Sequence, residues 1–446
     1  MAARTLTREL TLPAATALVV GQVIAVGIFL TPGSMIRALA SPFWVLVAWG
    51  LIGGMAMCGA VCYGALAARY PQAGGGYVYL REAYGRRLAF LYGWKCFLIM
   101  DPGITAALAT GLVTYVAYIV PLGGGAQRLV AIGAILALAL VHVAGVRPGT
   151  RLLTGLAVLK LALISGLLLV AASSGSADWR HFVPFVSRPA AAPPFGPAAI
   201  GALIGAFFSF GGWWEVTKIA GEVRDPSRTM PRALVVGLTI VTLVYILTTL
   251  AFIYVIPIAG IASGDAFVAQ VGAVLMGRSG GVAVAAVVIV CVLGSLAAVL
   301  MLGPRVYFAM ALDGVFPAAA AAVHPRFGTP ARAIAAQAVL ASILVAFGTF
   351  DTIVAYFIFI TVVFIALTVG AVFVLGRRDP HFRVPGHPWT ALTFLTMGAG
   401  LLGLLALNNP LQAMLGVALV AAGVPVYHLT RGVPAAVSAV SPEVSR

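Results

Sequence analysis

Lysine occurs only three times in this chain of 446 residues, at Lys95, Lys160 and Lys218, and each lies inside an apolar run. Lys160 is the one charge in GLAVLKLALISGLLLV, the stretch from Gly155 to Val170. An ammonium near mid-bilayer costs between ~3 and more than 10 kcal/mol on different scales. Its three donors therefore need protein oxygens around them. A structural lysine that caps helix ends and a lysine whose protonation matters to function predict the same contacts. Asp101, in FLIMDPGITAALA, is a second intramembrane charge. It is placed to accept a ligand's cation, to relay a proton, or to pair with Lys95 or Lys218. Glu215, Lys218 and Glu222 follow at i, i+3 and i+7, one stripe of an α-helix. The stripe reads as an ion ladder facing a cytoplasmic vestibule, or as an inner gate that breaks and reforms.

Other chemistries lack their residues. Cys58, Cys62, Cys96 and Cys291 all sit in apolar segments, which argues against disulfides and a zinc site. The six histidines fall near the ends of apolar runs, with no Ser-His or His-Glu spacing inside one. No metal, no cofactor and no enzymatic site is expected. The glycines of AGGGY have no strand before them and no Lys-Ser/Thr after them, so a phosphate-cradling loop is a weak reading. An amphipathic inner-loop helix that gates one side fits better.

The elements that hold these groups are set by composition. The chain is 62% hydrophobic and 9% charged, against roughly 25% charged in soluble proteins. So few charges cannot clothe a water-soluble domain of this length. The net charge of +15 is spread singly between apolar runs, which speaks against nucleic acid and for a lipid bilayer. An all-α membrane fold of twelve transmembrane helices is expected, at roughly 13–38, 43–67, 87–120, 127–144, 149–172, 197–221, 233–257, 281–303, 331–348, 351–376, 389–407 and 410–429. The third run is long enough to be strongly tilted. The basic start MAARTLTREL precedes a full-length apolar run without a cleavage site, so it reads as a cytoplasmic tail. With that end inside, cytoplasmic segments hold 19 of the Lys and Arg residues and outer loops five. The asymmetry places both termini in the cytoplasm of a cell whose inner membrane the chain crosses.

Two of the runs are interrupted. Span one reads GQVIAVGIFLTPGSM and breaks near Gly27; span six reads GAFFSFGGWWEVTKIAGEV and breaks at Gly211–Gly212. Close packing explains an isolated membrane glycine well enough. Breaks at corresponding places of two five-helix halves point instead to a transporter's binding site. The half-helix after the first break opens on unpaired N–H groups, which suit a carboxylate. The half-helices before each break end on free carbonyls, which suit an ammonium. Together they would hold a zwitterion such as an α-amino acid.

At this point the residues resemble the amino acid–polyamine–organocation (APC) superfamily, especially bacterial relatives of the L-amino acid transporters. GIFLTPG, YPQAGGGYVYLREAYG, FFSFGGWWEVTKIAGEVRDPSRTMPRAL and GPRVYFAMALDGVFP with VHPRFGTP carry the resemblance, in that order along the chain. It implies a five-plus-five inverted repeat with broken helices 1 and 6. Its parts are a tail at 1–12, repeats at 13–172 and 197–378 around an extracellular loop at 173–196, helices 11 and 12 at 379–430, and a tail at 431–446. It implies that the α-carboxylate sits on amides around Ala25, Val26, Gly27 and Ile28. The α-amino group would meet carbonyls near Ile24 and in Phe208–Ser209–Phe210, with Phe208 as an aromatic gate. The family often carries Gly-Ser-Gly where this chain has Ala25-Val26-Gly27. Lys160, against carbonyls of span one and the Ser295 hydroxyl of span eight, would stand where sodium-coupled relatives hold a metal ion. The function implied is an alternating-access carrier of neutral L-amino acids, sodium-independent and either an exchanger (antiporter) or proton-linked. A cationic amino acid or polyamine carrier is the rival, supported by Asp101 and Glu215. The outer loop PLGGGAQR holds no cysteine, so no disulfide-linked partner subunit is expected.

Overall fold

The protein is described from a computed structural model, covering residues 10–144, 147–175, 178–261, 266–322, 324, 327 and 329–430. Most of the expected terminal tails, 1–9 and 431–446, lie outside the described residues. The described chain is helical throughout and contains no strand; a single parallel bridge joins Leu10 to Val223.

In chain order the helices are α1 (Leu12–Val23), α2 (Gly27–Leu39), α3 (Pro42–Arg69), α4 (Gly76–Tyr84), α5 (Arg86–Lys95), α6 (Asp101–Ile119), α7 (Gly124–Val143) and α8 (Arg147–Ser173). There follow α9 (Phe195–Phe210), α10 (Pro226–Val255), α11 (Phe267–Leu302), α12 (Pro304–Leu312), α13 (Ala331–Phe347), α14 (Phe350–Arg378), α15 (Trp389–Asn408) and α16 (Pro410–Thr430). A π-helical turn, Cys96–Met100, joins α5 to α6, and a 3-10 segment, Trp213–Glu222, follows α9. Proline starts many of these helices, with Pro13, Pro42, Pro102, Pro226 and Pro304 all in first turns. Its missing N–H falls where the helix has no partner for one.

Ten of the described helical stretches are long and apolar enough to cross a membrane, and the bent pair α1–α2 makes an eleventh. The run expected at 331–348 is a shorter apolar helix, Ala331–Phe347. The run expected at 281–303 begins earlier, at Phe267, because α11 continues across a kink at Met276 and Gly277, where Gly277 has φ +70°. The long third run is α5, the π turn and α6 together, and it is the most enclosed of the ten unbroken stretches. α7, α8 and α16 turn most of their surface outward, as lipid-facing helices do, with Leu140, Leu169 and Leu429 exposed. α1 packs on α8, α10 and α11, α2 packs on α9, and α6 packs on α11 and α14. The two interrupted spans thus lie in the middle of the bundle.

Candidate functional site

Both expected interruptions are present, and they meet. The axis bends by 45° between α1 and α2. The Ala25 N–H turns back onto the Val23 carbonyl at 2.7 Å, while the N–H groups of Val26, Gly27 and Ile28 find no backbone acceptor among the described residues. In the other span α9 stops at Phe210 and Gly212 takes φ +104°, a conformation that favours glycine. A Cβ on Gly27 would lie 2.5 Å from the Ser209 Cα, so the two backbones touch here only because residue 27 has no side chain. The Thr31 and Ser209 hydroxyls, 2.7 Å apart, bond across the contact. Tyr245, buried on α10, brings its hydroxyl to 2.8 Å from the Val23 carbonyl and 2.7 Å from that of Ser209. One phenol therefore ties the ends of both broken half-helices.

A cavity of about 50 Å³ lies at this crossing. Its wall includes Ala25, Val26 and Gly27 from the first break and Phe208, Ser209, Gly211 and Gly212 from the second. Ile104 and Leu108 of α6 and Phe357 and Ile358 of α14 supply apolar walls. Phe208 faces Phe357 with ring centroids 6.5 Å apart. Ile24, Ile28 and Phe210 are buried behind the lining. Sequence reasoning missed Gln22, Trp214 and Thr361, which also line it. No charged side chain is among the residues that do so.

All three lysines are buried, each 1% exposed. The Lys160 ammonium donates to the Gly21 carbonyl at 2.8 Å, the Ile24 carbonyl at 3.0 Å and the Ser295 hydroxyl at 2.6 Å. Three donors meet three oxygens, two of them freed by the end of α1. Ser295 also reaches the Gly21 carbonyl at 3.0 Å, so α1, α8 and α11 share one polar knot.

Asp101 sits away from the cavity lining. It accepts from Lys218 at 3.0 Å and from the Tyr307 hydroxyl at 2.7 Å. Of the uses open to it from sequence, pairing with Lys218 is the one its contacts serve. Lys218 also meets Glu215 at 2.6 Å, and both carboxylates are fully buried. The expected three-residue ladder is corrected in two respects. Glu215 and Lys218 face protein and not a vestibule. Glu222 leaves their stripe and approaches Arg305 at 3.7 Å. The reason is the winding: at three residues per turn an i, i+3 pair stays aligned, but i+7 falls a third of a turn away. Ile219, at φ −107° and ψ 18°, departs from helix geometry in between. Lys95 takes no carboxylate among the described residues; its ammonium contacts the Met100 sulfur at 2.7 Å and lies 4.9 Å from the Tyr92 ring centre.

The AGGGY stretch leads into α4, the helix expected there. The Gly74 N–H donates to the Lys218 carbonyl at 2.9 Å, which ties this helix's start to the 3-10 segment. Tyr77 and Arg81 both bond Asp313, at 2.7 and 2.8 Å, beyond the end of α12. Arg69 bonds Asp379 at 2.8 Å, and Arg378 donates to the Glu82 carbonyl at 3.0 Å. Leu10 completes this end by bonding Glu222 and Arg224 through its backbone.

Comparison with known proteins agrees with this architecture. The family described as amino acid permease matches residues 10–426. The chain is 29% identical over 430 residues to the serine/threonine exchanger SteT of Bacillus subtilis, covering 95% of this chain and 97% of that protein. It is 28% identical over 439 residues to the Asc-type amino acid transporter 1 of Mus musculus, covering 95% and 81%. To the large neutral amino acids transporter small subunit 2 of Homo sapiens it is 27% identical over 438 residues, covering 95% and 80%.

Proposed function

The chain belongs to the amino acid permease family, and from that premise we propose that it carries neutral L-amino acids across the membrane by alternating access. The supporting observation is the cavity where the two helix breaks cross, walled by backbone and apolar side chains and by no charge. The free N–H groups of Val26, Gly27 and Ile28 suit the α-carboxylate, aided by the positive end of α2. Ala25 contributes less, because its N–H is already engaged. A charged side chain entering this wall would lose its hydration without gaining a counter-ion. The rival reading, a cationic amino acid or polyamine carrier, loses its support because Asp101 and Glu215 are committed to Lys218. The names of two relatives, which specify serine/threonine and large neutral amino acids, agree with an uncharged side chain.

Transport is sodium-independent in this reading. The Lys160 ammonium fills the junction of α1, α8 and α11 with three hydrogen bonds and supplies the positive charge a metal ion would. Spans 1–5 and 6–10 form the inverted repeats of a twelve-span carrier, with α15 and α16 outside them. Both termini are cytoplasmic, and the α4 end is the inner gate. Substrate enters one end of the cavity, the breaks close over its two charged groups, and the ties at the other end release. Each Cys lies within a helical segment, so no disulfide to a second subunit is proposed.

Proteoliposome uptake of a labelled amino acid panel tests the proposal, with and without internal amino acid, a pH gradient and sodium. Accumulation of neutral amino acids, stimulated by internal substrate or by the pH gradient and indifferent to sodium, is expected. Uptake of arginine or putrescine in preference to alanine, or a sodium requirement, would refute it.

A further inference from the structure

We infer that two side chains complete the recognition of substrate: Gln22 receives the α-ammonium, and Thr361 pairs with a hydroxyl on a small side chain. The inference rests on the transport reading above and narrows it to hydroxylated neutral amino acids. Both residues line the cavity, at 4% and 2% exposed. The Oε1 of Gln22 and the Oγ1 of Thr361 are buried and meet no hydrogen-bond partner among the described residues. Such an orphan costs about 1–3 kcal/mol, a cost removed when a ligand supplies the missing bond. Thr248 and Thr249 are orphans too, but they lie away from the cavity lining. Trp214, the remaining orphan in the lining, carries an N–H; it suits an oxygen and cannot serve an ammonium.

Position supports each role. Three main-chain acceptors at the breaks already have donors: Ile24 has Lys160, Ser209 has Tyr245, and Phe208 has the Gly211 N–H. Gln22 adds an uncommitted side-chain acceptor beside them. It is also well fixed, lying between the two residues whose carbonyls grip Lys160 and close against Gly212. Thr361 stands one turn beyond Phe357 on α14, in a lining whose apolar members include Ile104, Leu108 and Ile358. A hydroxyl arriving there finds the unpartnered Thr361 Oγ1, and a site built around such a bond rejects the analogue without it.

The test is competition against labelled L-alanine uptake in proteoliposomes, with L-serine, L-alanine and propionate as competitors. Wild type is expected to prefer serine to alanine by about tenfold or more and to reject propionate, which lacks the amino group. Thr361→Val should abolish the serine preference while the rejection of propionate survives. Gln22→Leu should weaken the rejection of propionate while the serine preference survives. Thr361→Ser and Gln22→Glu keep the hydroxyl and the acceptor and should keep both ratios, which separates recognition from folding. Wild type that takes up alanine but treats serine, alanine and propionate alike would overturn the inference and leave the transport reading standing. So would a ratio that survives loss of its own residue, or one that is lost in its conservative variant. Wild type that takes up no amino acid would overturn both.

Discussion

At the scale of single residues, the buried charges divide by what they touch. Lys160 is satisfied by carbonyls and a hydroxyl alone, so its removal strands oxygens that have few other donors. Lys160→Met is expected to lower uptake by tenfold or more, since the lost hydrogen bonds to a charged donor are worth about 1.5–3 kcal/mol each. Ser295→Ala removes one acceptor of three and should cost less. Uptake assays beside thermal melts in detergent decide the case; full uptake with a lowered melting temperature would leave Lys160 a structural role only. Lys218 differs because it neutralises two buried carboxylates at once. Lys218→Met strands both and should destabilise by about 3–5 kcal/mol, whereas Asp101→Asn keeps the Lys218–Glu215 pair and should cost far less. Reversal of that order in the melting temperatures would show that the cluster is not held by this pairing. The charge of Lys160 in an apolar run says only that oxygens must surround it, and it was the family resemblance that pointed to span one and Ser295 as their source. Tyr245 was not legible, because nothing in an apolar helix more than thirty residues past the second break marks one phenol as the tie between both.

At the scale of elements, the breaks were legible from glycine, and the winding after them was not. Gly27 and Gly211–Gly212 mark the interruptions because helix interiors select against glycine. The switch to 3-10 geometry after Gly212 leaves no comparable residue signature, and it is what carries Glu222 away from Glu215 and Lys218 to Arg305. Gln22 carried a faint signal, as the one amide side chain in the first half of span one. The start of the eighth run was hidden by the same limit, since a run of hydrophobic residues does not reveal that α11 continues across a kink at Gly277. The glycines also give the sharpest test at this scale. Gly27→Ala places a methyl 2.5 Å from the Ser209 Cα, so two backbones must part, and Tyr245 and Thr31 lose their geometry with them. Gly21→Ala meets only the Ala157 methyl, at 3.1 Å. Transport should be abolished by the first and merely reduced by the second. Equal activity of the two variants would show that contact between the breaks is not needed.

At the scale of the whole molecule, alternating access requires the ties around α4 to open once per cycle, and their strengths differ. Arg69–Asp379 is an exposed pair, which solvent screens to a small contribution. The Arg81–Asp313–Tyr77 group is half-buried and charge-assisted, so it should hold the closed form more firmly. With a cysteine placed at Ala73, Asp313→Ala is therefore expected to raise thiol labelling of this end by about tenfold and Asp379→Ala by only a few-fold. The same ties also say where a pH dependence cannot originate. The His381 N–H and the Arg69 guanidinium hold the Asp379 carboxyl below its ordinary range. A depressed carboxylate contributes its stability above its unfolded pKa and loses it only as pH falls through the lower folded value. Burial, with the Asp313 carboxylate facing it, pushes the Tyr77 phenol well above its ordinary value. Neither group changes charge between about pH 5 and 8, the range in which histidine is the usual switch. Any pH dependence of uptake in that range must arise elsewhere and should persist unchanged in Asp379→Asn and in Tyr77→Phe. A profile flattened by either substitution would move the proton-sensitive step from the interior of the bundle to its closing ties.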